Sequence, residues 1–258
     1  RDRGVSLVTH NKDALNKEVR SEILDGLAEA LGVDGRIRVL LHSIAFGNLK
    51  LIGPEAPVSE VARRRLAEEL GVEDTQLGEV ADRLFEEGCD GLQGVTTAPE
   101  YSAEVLDEED MARTVHSMGT SMLGWTQELL GRGLFAADAR VLGLTSEGNS
   151  VAWKGYAAVA AAKVALESVS RSIATEMASH GIRSNVIQAG VTDTPALRMI
   201  PGSIHLKAQA RVRNPFQRLT TPRDVANVIY LLSLPEAAWI NGEIIRVDGG
   251  ERISGASR

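Results

Sequence analysis

The feature that most constrains how this chain folds is an alternation: short aliphatic and β-branched runs are separated by stretches whose apolar residues recur every three or four positions. Short runs bounded by turn residues read as buried strands, and the intervening period is that of an amphipathic helix. GVSLVTH (4–10), RIRVLLHSIAFG (36–47), ARVLGLTS (139–146), GIRSNVIQAG (181–190) and GEIIRVDGG (242–250) are the expected strands. KEVRSEILDGLAEALG (17–32) is an expected helix closed by Gly32; TPRDVANVIYLLSL (221–234) is another, with Thr221 as its cap and Pro222 in its first position. Met111, Val115, Met118, Met122, Trp125 and Leu129 step by four and three along one buried helical face, as core or subunit contact. GYAAVAAAKVALESVSRSIATEM (155–177) reads as a further helix. Such an order makes an α/β fold, a doubly wound parallel sheet whose ligands sit beyond the carboxyl ends of its strands.

Residues 48–106 interrupt the alternation. VSEVARRRLAEELG (58–71) and TQLGEVADRLFEEG (75–88) are amphipathic segments that each end in glycine, expected as a helical insertion within a single domain of residues 1–258. A hairpin there packs beside the sheet, or serves as a lid or an oligomer contact.

Charge and cysteine usage exclude several function classes. The net charge is −7 and the basic residues are scattered, so nothing draws the chain to nucleic acid or an anionic membrane surface. One cysteine, Cys89, rules out an internal disulfide framework and suits a reducing cytoplasm. No apolar run is long enough to span a bilayer, and the first residues lack the apolar core of a signal peptide. The histidines at 10, 42, 116, 180 and 205 fall at no metal-ligand spacing, so no metal site is expected.

Chemistry concentrates in the helix at 155–177. Tyr156 and Lys163 are seven apart, which on a 3.6-residue helix puts them on one face about two turns apart. A phenol titrates near pH 10, and an ammonium held nearby favours its phenolate, moving it toward the range useful for proton transfer. Ala157, Ala160 and Ala161 leave room for a flat cofactor or another helix to approach. A pair like this also occurs in many helices without function.

Tyr156, six residues, then Lys163, after a strand ending in Thr-Ser and before GIRSNVIQAGVTDTPA, resembles the short-chain dehydrogenase/reductase superfamily, whose fold is Rossmann-like. The long spacing and LLHSIAFG (40–47) resemble its enoyl-[acyl-carrier-protein] reductase branch, and GEIIRVDGG its closing strand. The resemblance implies NADH or NADPH as cofactor and reduction of an enoyl thioester, on acyl carrier protein or coenzyme A, in fatty acid synthesis. It implies that Lys163 holds the nicotinamide ribose and that Tyr156 donates to or protonates the substrate's enolate oxygen. Ser43, Ile44 and Ala45 would border the cofactor, Gly190, Thr192 and Thr194 would lie against its carboxamide and phosphates, and Asn11 would sit beside adenine. Residues 195–215 fall where the family carries a substrate lid, with Met199 and Ile200 lining an acyl pocket. A homo-tetramer or dimer is implied, through the methionine-striped helix and the Tyr156 helix.

Two departures temper the resemblance. Ser146 stands seventeen before Lys163, where enoyl reductases carry a second aromatic residue and the ketoreductases carry a catalytic serine. A carbonyl or 3-ketoacyl reductase using Ser146, Tyr156 and Lys163 therefore competes with the enoyl reading; Thr145 is the weaker bearer of the serine's role. Secondly, no glycine-rich turn follows an early strand, as though the family's first two strands and its phosphate loop were missing. The expectation is a longer natural chain, or else a truncated, non-catalytic relative. In the family's strand order, the run at 4–10 would then have no neighbour.

Overall fold

The computed structural model describes residues 5–56 and 60–255. Gly4, from the first expected strand, and Val58 and Ser59, from the expected hairpin, lie outside the described residues. Within them, α1 (Lys17–Leu31) leads to β1 (Ile37–His42), then α2 (Val61–Leu70), α3 (Asp74–Glu86), α4 (Glu108–Val115) and α5 (Ser121–Gly131). β2 (Phe135–Thr145), α6 (Ala157–Glu176) and β3 (Ile182–Ala189) follow, then α7 (Pro195–Arg198), α8 (Ser203–Arg213), α9 (Pro222–Ser233) and β4 (Ile244–Val247). The strands form one sheet in the order β1-β2-β3-β4, every pair parallel. This is the expected α/β architecture with helices on both faces.

Side-chain alternation decides which helix covers which face. Ala139, Val141, Ile182 and Val186 pack with Met122, Leu166 and Ile173 of α5 and α6. Their neighbours Leu142 and Ile187 turn to the opposite face, against Val225 and Leu232 of α9. Both faces are covered, which is why β2 and β3 read as continuous apolar runs. The capping signals are also met: Gly32 ends α1 at φ 63°, and Thr221 and Asp224 form a capping box at the start of α9.

The strand expected at 4–10 does not form. Val5, Leu7 and Val8 are exposed in irregular backbone, and no described residue pairs with them. A strand needs a neighbour for its N–H and C=O groups and a face to bury; β1 is the sheet's edge here. Asn11 consequently ends no strand and lies in exposed chain before α1.

The methionine stripe faces inward, with Met118, Met122 and Leu129 buried and Met111, Val115 and Trp125 half-buried, but on two helices joined by a π-helical turn, His116–Thr120. The widened turn keeps Met118 and Met122 both inside and presents Ser117 to the carbonyl of Phe46. Gly119 faces α6, where a Cβ would stand 2.6 Å from the carbonyl oxygen of Ala162. In the expected hairpin, buried Arg63 donates to Asp74 on α3. The following 3-10 turn, Asp90–Val95, packs on α8, where Arg211 donates to Asp90 at 2.8 Å. Helix α8 itself was not anticipated from sequence. Among the described residues no helix is long and apolar enough to cross a membrane.

Gly119→Leu should separate α6 from the π turn and lower the unfolding free energy by about 1–3 kcal/mol, the usual cost of overpacking. Urea unfolding compared with the unaltered chain measures it; equal midpoints would mean the helices are not in contact there.

Candidate active site

The strands end nearly flush: His42 is opposite Gly143, Thr145 opposite Gln188, and Ala189 opposite Val247. Residues just beyond, Ser43 to Ala45, Ser146 and Gly190, therefore line one end of the sheet, where a doubly wound fold binds ligands.

Tyr156 occupies the N-cap of α6 rather than its body, with φ −112° and ψ 5°. Its ring lies against the turn after β2, where a Cβ on Gly148 would come within 2.5 Å of the ring. The phenol oxygen is 3.3 Å from Ser146 Oγ. Lys163, on the second turn of α6, is buried and donates from Nζ to the Leu144 carbonyl at 2.9 Å. Thr145 donates instead to the buried carboxylate of Glu167, at 2.6 Å, so its hydroxyl is engaged away from Ser146's partner.

Electrostatics correct one expectation. Burial raises the Tyr156 phenol above its ordinary value, the Ser146 hydrogen bond opposing it. Lysine does not bring it down: the ammonium is directed at a backbone carbonyl and is itself lowered to about 8 by burial, with the Glu167 charge opposing that fall.

His42, at the end of β1, was not singled out from sequence. It is buried, with Nε2 2.8 Å from Ser121 Oγ. Ser121 donates its proton to the Ser117 carbonyl, so the imidazole is the donor and carries its proton on Nε2. Burial, then the Lys163 charge, lowers His42 to about 4. Glu167 and Asn149 were missed as well: Asn149 donates to Glu167 at 2.6 Å and accepts from Gln188 at 3.2 Å. The only signal for them was the four-residue spacing from Lys163 to Glu167.

The other anticipated residues are placed as follows. Ser43 and Ala45 are exposed beyond β1 and Ile44 is half-buried. Gly190 packs so tightly on Thr220 and Asp248 that no Cβ fits, and Thr192 donates to its carbonyl at 2.9 Å. Thr194 caps the short helix α7, accepting from the Leu197 N–H at 3.1 Å. Met199 is exposed just past α7 and Ile200 half-buried. Asn11 and Met199 make no side-chain hydrogen bond to Ser146, Tyr156 or Lys163 among the described residues.

A hydroxyl pair and a buried ammonium at the carboxyl end of a parallel sheet define an α/β fold of the dehydrogenase type. The profile described as enoyl-(acyl carrier protein) reductase matches residues 90–251, more than half of the chain, and the chain belongs to that family, within the short-chain dehydrogenase/reductase superfamily. Among curated relatives, a 3-oxoacyl-[acyl-carrier-protein] reductase of Vibrio cholerae is 28% identical over 145 residues, 56% of this chain and 59% of that one. The cis-4-hydroxycyclohexanecarboxylate dehydrogenase of Sinomonas cyclohexanicum is 32% identical over 120 residues, 46% of this chain and 45% of that one. The chain thus spans about half the length of the curated relatives it matches. In fold it is similar to the enoyl-acyl carrier protein reductase of Bacillus cereus, solved with NADP+ and indole naphthyridinone. That likeness has a TM-score of 0.71 at 20% identity, over 98% of this chain and 78% of that one. The enoyl-[acyl-carrier-protein] reductase (NADH) of Aquifex aeolicus gives 0.67 at 23%, over 94% and 75%.

His42 makes stability pH-dependent. Its folded value lies below 6.5, so its contribution is complete above 6.5 and is lost as pH falls toward 4. The loss amounts to about 3 kcal/mol, from about 1.4 kcal/mol per pKa unit. Denaturant unfolding at pH 7 and pH 4.5 should show a smaller drop for His42→Gln than for the unaltered chain; equal drops would contradict the burial of a neutral imidazole.

Proposed function

We propose that this chain carries the catalytic part of an NAD(P)H-dependent reductase that saturates the 2,3-double bond of an enoyl thioester, borne by acyl carrier protein or coenzyme A. The observation that carries the reading is the half-buried Tyr156 phenol, pushed above its ordinary value by burial, on the helix whose Lys163 is free of any direct carboxylate bond among the described residues. Family membership and likeness to enoyl reductases support it.

The residues fit a nicotinamide dinucleotide. Lys163 commits one N–H to Leu144, which leaves two for a ribose diol, and the close packing of Gly190 on Thr220 and Asp248 fixes the course of the turn that leads to Thr192 and Thr194. When bound, the dinucleotide supplies a hydride for the substrate's β-carbon. Ser43, Ile44 and Ala45 would flank it, with Thr192 and Thr194 at its carboxamide and phosphates and Asn11 toward adenine. Negative charge then develops on the thioester carbonyl oxygen. Tyr156 donates a hydrogen bond to it, and the low dielectric of the site strengthens that bond. A phenol pushed up by burial is a poor proton shuttle near neutrality but a sound donor, which suits an enolate oxygen better than a reaction that must cycle through phenolate. Met199 and Ile200 would line the acyl path. Subunits would pair through α4, α5 and α6, whose Leu123 and Val164 are exposed, in the cytoplasm.

The Ser146–Tyr156 hydrogen bond favours a second reading, reduction of a ketone or 3-ketoacyl thioester, in line with the names of the curated relatives. Cofactor oxidation by the full-length protein with crotonyl and with acetoacetyl thioester separates the two. Turnover of the crotonyl substrate is expected; turnover of the acetoacetyl substrate alone would overturn the enoyl reading. On crotonyl thioester, Tyr156→Phe should lower kcat by about 10²–10³-fold, the effect of losing one oxyanion donor. Ser146→Ala should leave crotonyl reduction within a few-fold of the unaltered rate, and a large loss would place Ser146 in the chemistry.

A further inference from the structure

We propose that Glu167 is a positioning residue of this site: its buried carboxylate keeps Lys163 charged one turn away on α6 and ties the turn that carries Ser146 to the helix that carries Tyr156. The inference rests on the reductase reading for its catalytic consequence, but its physical content does not.

The geometry is specific. Glu167 Oε1 accepts from Thr145 Oγ1 and from Asn149 Nδ2, each at 2.6 Å. Thr145 and Asn149 bracket Ser146, so the carboxylate grips the chain on both sides of that hydroxyl. Asn149 in turn accepts from Gln188 on β3, and Gln188 accepts from Arg246 at 3.2 Å and from Arg252 at 3.3 Å. One chain of hydrogen bonds therefore joins β2, the turn after it, α6, β3 and β4, buried at Thr145, Glu167 and Gln188 and reaching water at Arg246. A carboxylate is almost never this buried without partners, and these partners are two neutral groups rather than a cation in contact. Two cations on its own helix stand four residues away, Lys163 before it and Arg171 after it; Arg171 is exposed to water, and Lys163 is the buried one.

The groups facing Lys163 are few. Glu167 shares its helix, Tyr156 caps that helix, and His42 approaches from the end of β1 with a neutral imidazole. Arg246 and Arg252 bind at the other end of the hydrogen-bonded chain. Burial disfavours the ammonium, and Glu167 is the group that opposes this. Without the negative charge, Lys163 would lose its proton at a lower pH, and with it the ability to hold a ribose diol by charge-assisted hydrogen bonds.

Glu167→Gln tests this, because glutamine keeps the size and the accepting oxygen and removes only the charge. In the protein with selectively 13C-labelled lysine, the Lys163 signal is assigned by its loss in Lys163→Arg. The Lys163 titration midpoint should move down in Glu167→Gln and stay in place in Thr145→Val, which removes one hydrogen bond and keeps the charge. An unmoved midpoint in Glu167→Gln overturns the proposal. Should that variant not fold, Glu167→Asp carries the test: withdrawing the carboxylate by one methylene should lower the midpoint by less, and no change contradicts the idea. Where thioester reduction is observed, the KM for cofactor should rise on the alkaline side in Glu167→Gln, with kcat at saturating cofactor little changed. A chain that reduces no thioester would remove the function proposed above, while the lysine titration would still decide the role of Glu167.

Discussion

A buried ammonium at the carboxyl end of β2 sets the terms for the rest of the molecule. Taking a lysine out of water is costly unless its N–H groups and its charge are both answered. The Leu144 carbonyl answers one of the three N–H groups, next to the last residue of β2. It is within reach only because α6 lies close on the sheet, with Leu166 seated over Gly143, where a Cβ would stand 2.9 Å from its side chain. The same closeness explains the small residues of α6. Ala158 and Ala162 are buried, and Gly119 meets the helix backbone from the π turn.

That π turn links the site to the helices behind it. By widening one turn, it presents Ser117 to the chain after β1 and Ser121 to His42. The end of β1 and the junction of α4 and α5 are thereby fixed to each other through buried hydroxyls, and Tyr156 packs against the cluster that Met118 of this turn forms with Val159 and Ala162. Polar groups at these positions are satisfied one by one, as a buried network must be if it is to specify a single arrangement. The chain after β1, where Ser43 to Ala45 are displayed, takes its course from these bonds.

Much of this was legible in the sequence, for identifiable reasons. β2, β3, α6 and α9 combine a clean period with caps or turns that agree, and each formed where expected. The run at 4–10 has a strand's composition, yet composition does not supply a neighbour, and the segment stays unpaired. Helix α8 was missed because its buried positions, Ala208 and Ala210, are small and two apart, so its sequence shows little helical stripe. At the site, the Tyr156–Lys163 spacing was visible, but not that Tyr156 would cap the helix and lose more to burial than it gains from a lysine turned elsewhere. Glu167 reads in sequence like any helical surface acid. Only the fold shows Thr145 and Asn149 closing over it.

The most direct measurement of the central claim is calorimetric titration of the full-length protein with NADH and with NADPH, beside the same titration of Lys163→Met. Saturable binding of at least one nucleotide is expected, weakened about tenfold or more when the charge-assisted bonds of Lys163 are removed. A folded full-length protein that binds neither nucleotide would contradict a nicotinamide-dependent reductase, whatever its fold.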